Sequence, residues 1–168
     1  MERRFTVSAS AIETKQVPHV LVECVQAGVI ETFQQIFGVV SVTDSDVMNG
    51  SCDGVVGIIS FMGTLPCSLI LAFPSETITA MAHKFCGFEI EYDSADMLDM
   101  TGELVNVLAG PVSARLVAAG LQANMSLPTV ARGYHIEMVL PGAHADHRLH
   151  FSTDQGPFRV KIAAPPVR

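Results

Sequence analysis

Asp99-Met100-Thr101-Gly102-Glu103-Leu104-Val105-Asn106-Val107-Leu108-Ala109-Gly110-Pro111 is the stretch on which the reading of this chain turns. Each helical residue rotates the chain by about 100°. With Glu103 set at zero, Asp99 falls at about −40°, Asn106 at about −60° and Gly110 at about −20°. Ser113 continues the row. Thr101, Leu104, Val105, Leu108, Val112 and Leu116 fall on the other side. One face is therefore apolar and the opposite one narrow and polar.

An ordinary solvated face would carry lysines, arginines and glutamates at i,i+4 spacing. No cation stands between Asp99 and Ser113, and Gly102, Ala109, Gly110 and Ala114 lie on or beside the row. The stripe reads as a docking ridge bearing two carboxylates and one amide. The alternative is a solvated face with an incidental Asn, on which Asp99 only complements the helix N-terminus. Asp99 and Glu103 are like charges at i,i+4, mildly unfavourable in isolation, which favours a functional reason for the pair. Pro111 removes the hydrogen bond to the carbonyl of Val107, so the helix should kink or break about one turn beyond Asn106.

Outward from this stretch, Ser94 can cap a helix from Ala95 to about Ala119, with Gly120 ending it. Upstream, Pro18 opens a helix from His19 to Phe37, whose apolar residues recur at spacings of three and four, and Gly38 stops it. Val39 to Asp44 reads as a strand, 46–54 as a turn-rich segment, and Val55–Met62 and Cys67–Phe73 as strands of a hairpin joined by Gly63-Thr64-Leu65-Pro66. Pro74-Ser75-Glu76 opens a short helix to Cys86. Downstream, 121–130, 134–140, 148–153 and 158–163 read as strands. Phe5 to Ser8 has weak strand character.

These elements predict an α+β fold, two long helices packed on a largely antiparallel sheet, with a pseudo-two-fold internal repeat. The organisation is an N-terminal segment 1–17, a single domain 18–164 and a tail 165–168. Hydrophobic residues make up 49% of the 168 and charged ones 16%, which excludes a disordered chain. A net charge of −7 argues against nucleic acid and anionic membrane as partners. No apolar run approaches the ~20 residues of a membrane span, and no signal sequence is evident, so a cytoplasmic location is expected.

Other chemistry is weakly supported. Cys24, Cys52, Cys67 and Cys86 are widely separated and read as buried thiols. His144, His147 and His150 do not offer converging imidazoles in a strand and turn. Asp44, Asp46, Asn49, Gly50 and Asp53 miss the register of a Ca²⁺ loop. No metal site of the chain's own is expected.

Gly102-Glu103-Leu104-Val105-Asn106, with Asp99 before it and Leu127-Pro128-Thr129-Val130 after it, resembles the CheC/CheX/FliY phosphatase family, whose signature is an acidic or Ser residue, E-x-x-N and a distant Pro. The strand 54–63, then Ser68–Phe73 and Ser75-Glu76-Thr77, carries the resemblance further, over roughly 18–164. The first helix offers only Glu23-Cys24-Val25-Gln26, and a single site favours a CheX-like member. The resemblance implies a homodimer and a phosphorylated CheY-like receiver domain as partner, with Mg²⁺ in the receiver and no cofactor in this chain. It implies that Asn106 orients the attacking water on the receiver's phosphoaspartate, that Glu103 pairs with the receiver's Lys, and that Asp99, Gly102 and Gly110 dock or support. A non-catalytic receiver-binding module and a flagellar-switch-related domain are the alternatives.

Overall fold

The structure is a computed structural model that describes residues 16–48, 50–138 and 145–164. Helix α1 spans His19–Phe37 and strand β1 Val40–Thr43. Strands β2 (Cys52–Gly63) and β3 (Cys67–Pro74) form a hairpin, and helix α2 (Ser75–Cys86) follows. Helix α3 runs from Ala95 to Ala118, and β4 (Ala123–Met125), β5 (Thr129–Ile136), β6 (Ala145–Thr153) and β7 (Gly156–Ala164) complete the order.

The seven strands form one sheet in the order β1-β6-β7-β3-β2-β4, with β5 also paired to β2. Every pairing is antiparallel. The helices cover one face. Side chains alternate across each strand, so Val55, Ile59, Leu69, Leu71, Phe73, Phe158, Val160 and Ile162 enter the main core. The other face carries a smaller cluster of Cys52, Val56, Ile70 and Ala72.

Helix α1 forms where its apolar period predicts. Leu21, Val25, Val29 and Phe33 lose all solvent contact, and Phe33 stacks on Phe158 at 4.4 Å between ring centroids. Full burial of such side chains contributes roughly 1.5–3 kcal/mol each. Pro18 sits one position before the helix, its carbonyl accepting from the N–H groups of Leu21 and Val22. Gly38 leaves the helix at φ 92°, a left-handed region that glycine enters without penalty.

Two further glycines set the height of α3. A Cβ at Gly57 of β2 would stand 2.5 Å from Val105 Cγ2, and one at Gly28 of α1 would stand 2.6 Å from Val112 Cγ2. Helix α3 thus lies close on the middle of the sheet and close against α1.

Several expectations are corrected. Residues 121–130 are not one strand: β4 ends at Met125, and β5 runs from Thr129 to Ile136, reaching only the first three positions of the separate strand expected over 134–140. Pro128, which has no N–H for a ladder, stands in the break. Strand β2 begins at Cys52 and β6 at Ala145, earlier than the hydrophobic pattern suggests. Helix α3 is not broken at Pro111. Leu108 and Ala109 before it, and Val112 and Leu116 after it, are all buried, so packing on both sides of the proline outweighs one lost hydrogen bond. Val17, placed in the N-terminal segment, packs in the core. Residues 5–8, Asn49, His144 and the tail 165–168 lie outside the described residues.

Candidate functional site

The ridge is positioned from its N-terminus. Ser94 caps α3: its Oγ accepts from Met97 N–H at 3.3 Å and donates to the Glu91 carbonyl at 2.7 Å. Arg132 of β5 then clamps the loop that enters the helix. Its Nη1 donates to the carbonyls of Tyr92 at 2.6 Å and Ser94 at 2.8 Å, and its Nη2 to that of Asp93 at 2.8 Å. The guanidinium also lies 5.6 Å from the Tyr92 ring centroid, a cation–π distance. The sequence gives no sign of this clamp, because donor and acceptors stand some forty positions apart.

Three charge-assisted hydrogen bonds from one side chain are a concentrated contribution. Arg132→Ala is expected to lower the stability of the fold by roughly 2 kcal/mol, the range for bonds from a charged donor. A shift of the urea midpoint at unchanged slope would show it; an unchanged midpoint would mean the clamp is incidental.

The core face of α3 is as read from the sequence. Thr101, Leu104, Val105, Leu108, Val112 and Leu116 are buried, and Asp99, Glu103 and Asn106 are exposed on the opposite side. The structure therefore brings the three polar residues onto one solvent-facing row. Among the described residues no cation forms a salt bridge with Asp99 or Glu103. Arg115, lower on the same helix, is engaged by Glu31 of α1.

The small residues divide into two kinds. Nothing lies within 4 Å of a Cβ placed on Gly110, which stands open to solvent. A Cβ on Gly102 would meet Val130 at 3.6 Å and Pro128 at 4.0 Å. The space over Gly102 is bordered by the chain's own Val130 of β5 and Pro128 of the β4–β5 loop, so this glycine faces that part of the fold. Further along, Ser113 Oγ donates to the Ala123 carbonyl at 3.0 Å, holding β4 against the same flank.

The β4–β5 loop is the part of the site that the helical pattern missed. Ser126 N–H donates to the Ser60 carbonyl at 2.8 Å, and Ser60 N–H to Ser126 Oγ at 3.0 Å. Between this anchor and Pro128 stands Leu127, 88% exposed. On the helix, Val107 is 42% exposed beside Asn106.

Other candidate chemistry finds little support. Among the described residues no group of three or more His, Cys, Asp or Glu is arranged to hold a metal ion. His147 and His150 both lie on β6, and His150 Nδ1 is 3.7 Å from an Asp46 carboxylate oxygen. Burial pushes the thiols of Cys52 and Cys67 up to about 11, so neither is a thiolate nucleophile near neutral pH.

The family description "Chemotaxis phosphatase CheX" matches residues 55–152, more than half of the chain. The chain belongs to the CheX family, and its fold is CheC-like. Among solved structures, the chemotaxis protein CheX from Vibrio vulnificus superposes with a TM-score of 0.75 at 18% identity, over 86% of this chain and 98% of that one. A CheX in complex with CheY, BeF3 and Mg²⁺ from Borrelia burgdorferi gives 0.70 at 20% identity, over 86% and 97%. The FliM middle domain from Helicobacter pylori gives 0.56 at 10% identity, over 89% and 94%. No curated protein matches the chain. No helix among the described residues is long and apolar enough to cross a membrane.

Proposed function

We propose that this protein is a phosphatase that hydrolyses the phosphoaspartate of a CheY-like receiver domain, acting in the cytoplasm. The carrying observation is the exposed pair Glu103 and Asn106, one helical turn apart on a row where, among the described residues, neither Asp99 nor Glu103 has a cation of its own. Family membership and the CheX–CheY complex from Borrelia burgdorferi support the class of partner.

The reaction needs little covalent help from this chain. A water attacks the phosphorus, the bond from phosphorus to the aspartyl oxygen breaks, and the carboxylate leaves with inorganic phosphate as the other product. Phosphoryl transfer passes through a loose transition state, so positioning counts for more than a strong base. The Asn106 amide can hold a water by donating and accepting, yet takes no proton. Glu103 meets the receiver's active-site Lys as a charge-assisted pair and fixes the orientation. Asp99, one turn back, adds negative charge to the docking row. Mg²⁺ belongs to the receiver. Asn106 favours the enzyme over a binding-only domain, which would need no water-orienting group.

The protein acts as a homodimer, joined through a strand edge. Among the described residues, strand β1 pairs only with β6 and exposes Val42, which leaves hydrogen-bonding groups for a further strand. The chain descends from an internal duplication, a reading the strand order supports. Exchanging β1 with β5, β2 with β6 and β3 with β7 turns β1-β6-β7-β3-β2-β5 into its own reverse. Helix α1 then stands where α3 stands, carrying Gln26 in place of an E-x-x-N asparagine.

The test mixes the protein with a phosphorylated, Mg²⁺-loaded CheY-type receiver encoded by the same genome and follows inorganic phosphate. Accelerated release at substoichiometric protein is the expected result. Release no faster than the receiver's own decay would leave only a binding module.

A further inference from the structure

We infer that Leu127 is the apolar anchor of receiver docking, and that the β4–β5 loop is a built part of the recognition surface; this rests on the phosphatase reading above. Leu127 is 88% exposed, the highest value among the large hydrophobic residues that the structure describes. A leucine on a mobile loop could fold back onto apolar surface. Here the backbone on either side is fixed. Ser126 is tied to Ser60 by two hydrogen bonds of 2.8 and 3.0 Å. Its hydroxyl donates to the Leu127 carbonyl at 2.9 Å. Pro128, the next residue, rests over Gly102 of the ridge helix. The side chain is thus held out in water by a pre-ordered loop, an arrangement that removes much of the ordering cost of binding.

The loop is continuous with the ridge. Gly102 precedes Glu103 by one residue, and Ser113 holds the other end of the strip through Ala123. Met125 pairs with Phe61, whose side chain lies in the helix-side core, so Met125 projects on the same side of the sheet as α3 and is 44% exposed. Asn106 stands on α3 between Gly102 and Ser113, the two helix positions that border this strip, with the exposed Val107 next to it. The row of Asp99, Glu103 and Asn106 and the exposed side chains of Leu127, Met125 and Val107 thus offer a partner both charge-pairing and apolar groups. Burying such a rim excludes water around the polar contacts.

The experiment compares wild-type protein with Leu127→Ser and Leu127→Met. Phosphate release is measured over a range of phosphorylated receiver, and affinity for the same receiver loaded with BeF3 and Mg²⁺ is measured separately. Leu127→Ser is expected to raise KM and Kd about tenfold, with turnover at saturating receiver within about twofold of wild type, and Leu127→Met to restore both constants. Because the side chain is exposed, Tm should not move; a merely structural residue would shift Tm and not split KM from kcat. KM and Kd within twofold of wild type for Leu127→Ser would overturn the inference. If wild type binds the receiver without hydrolysing it, the phosphatase reading fails while the Kd values still decide the role of Leu127. If wild type does not bind, both fail.

Discussion

Asn106→Ala is expected to slow phosphate release from a phosphorylated receiver by at least about a hundredfold while receiver affinity stays within about twofold. The amide is exposed and lies on the row opposite the core face of α3, so its removal leaves the packing of the helix intact. What the variant would lose is the group proposed to hold water in line with the departing carboxylate. Misplacement of a reacting group by an ångström costs on the order of a hundredfold, and no neighbour on the ridge can replace an amide that both donates and accepts. Glu103 and Asp99 only accept when ionised. The measurement is kcat against Kd on one receiver. An Asn106→Ala variant with full kcat would remove the proposed mechanism, whatever its affinity.

Gly54→Ala is the second large effect, and it falls on the fold. Gly54 lies in β2, between β3 and β5. A Cβ there would stand 2.0 Å from the Phe73 carbonyl oxygen, 2.8 Å from Ser75 N and 2.9 Å from Pro74 C. All three are main-chain atoms at the turn from β3 into α2, so no side-chain rotation relieves the clash. Overpacking typically costs 1–3 kcal/mol where side chains can adjust, and a clash with backbone in a central strand is expected to exceed about 3 kcal/mol. Gly110→Ala is the matched comparison. It adds the same methyl where nothing lies within 4 Å, inside a helix, and should stabilise by up to about 1 kcal/mol. Urea denaturation of the two variants should give opposite shifts. Equal shifts would mean that the close approach at Gly54 is not a constraint.

Much of the helical half of this structure was legible in the residues. The α1 boundaries, the Ser94 cap and the buried side of α3 follow from period and capping, which act within a few positions. The β2–β3 hairpin was legible for the same reason: two apolar runs flank a short turn, residues 64–66. The C-terminal strands were less so. Their boundaries depend on partners far away in sequence, such as the pairing of β5 with β2 and of β1 with β6. Pro128 was a local signal that 121–130 could not be one strand, and its position against Gly102 explains where the break falls. Pro111 shows the converse: the helix runs on through it, with Leu108, Ala109, Val112 and Leu116 buried on both sides. At the site, Asp99, Glu103, Asn106 and Gly110 could be placed from helical geometry alone. Gly102 turns inward to the chain's own loop, and the Arg132 clamp and the Leu127 loop required the fold, because each joins segments that only the sheet brings together.

The interleaving of the strands bears on how such a chain can change over time. Strands β1, β2 and β3 precede the link between α2 and α3, and β4 to β7 follow it, yet β1 is paired with β6, β3 with β7 and β2 with both β4 and β5. Each half thus completes the other's ladder, and neither owns a sheet whose edges are closed. A lineage could lose the signature residues from one long helix, and with them one ridge, by point substitution alone. It could not delete the half that carries that helix, because the surviving half would keep unpaired strand edges and an uncovered apolar face. Whatever α1 does or does not carry on its outer face, its sequence stays answerable to packing, at Gly28 against Val112 and at Phe33 against Phe158.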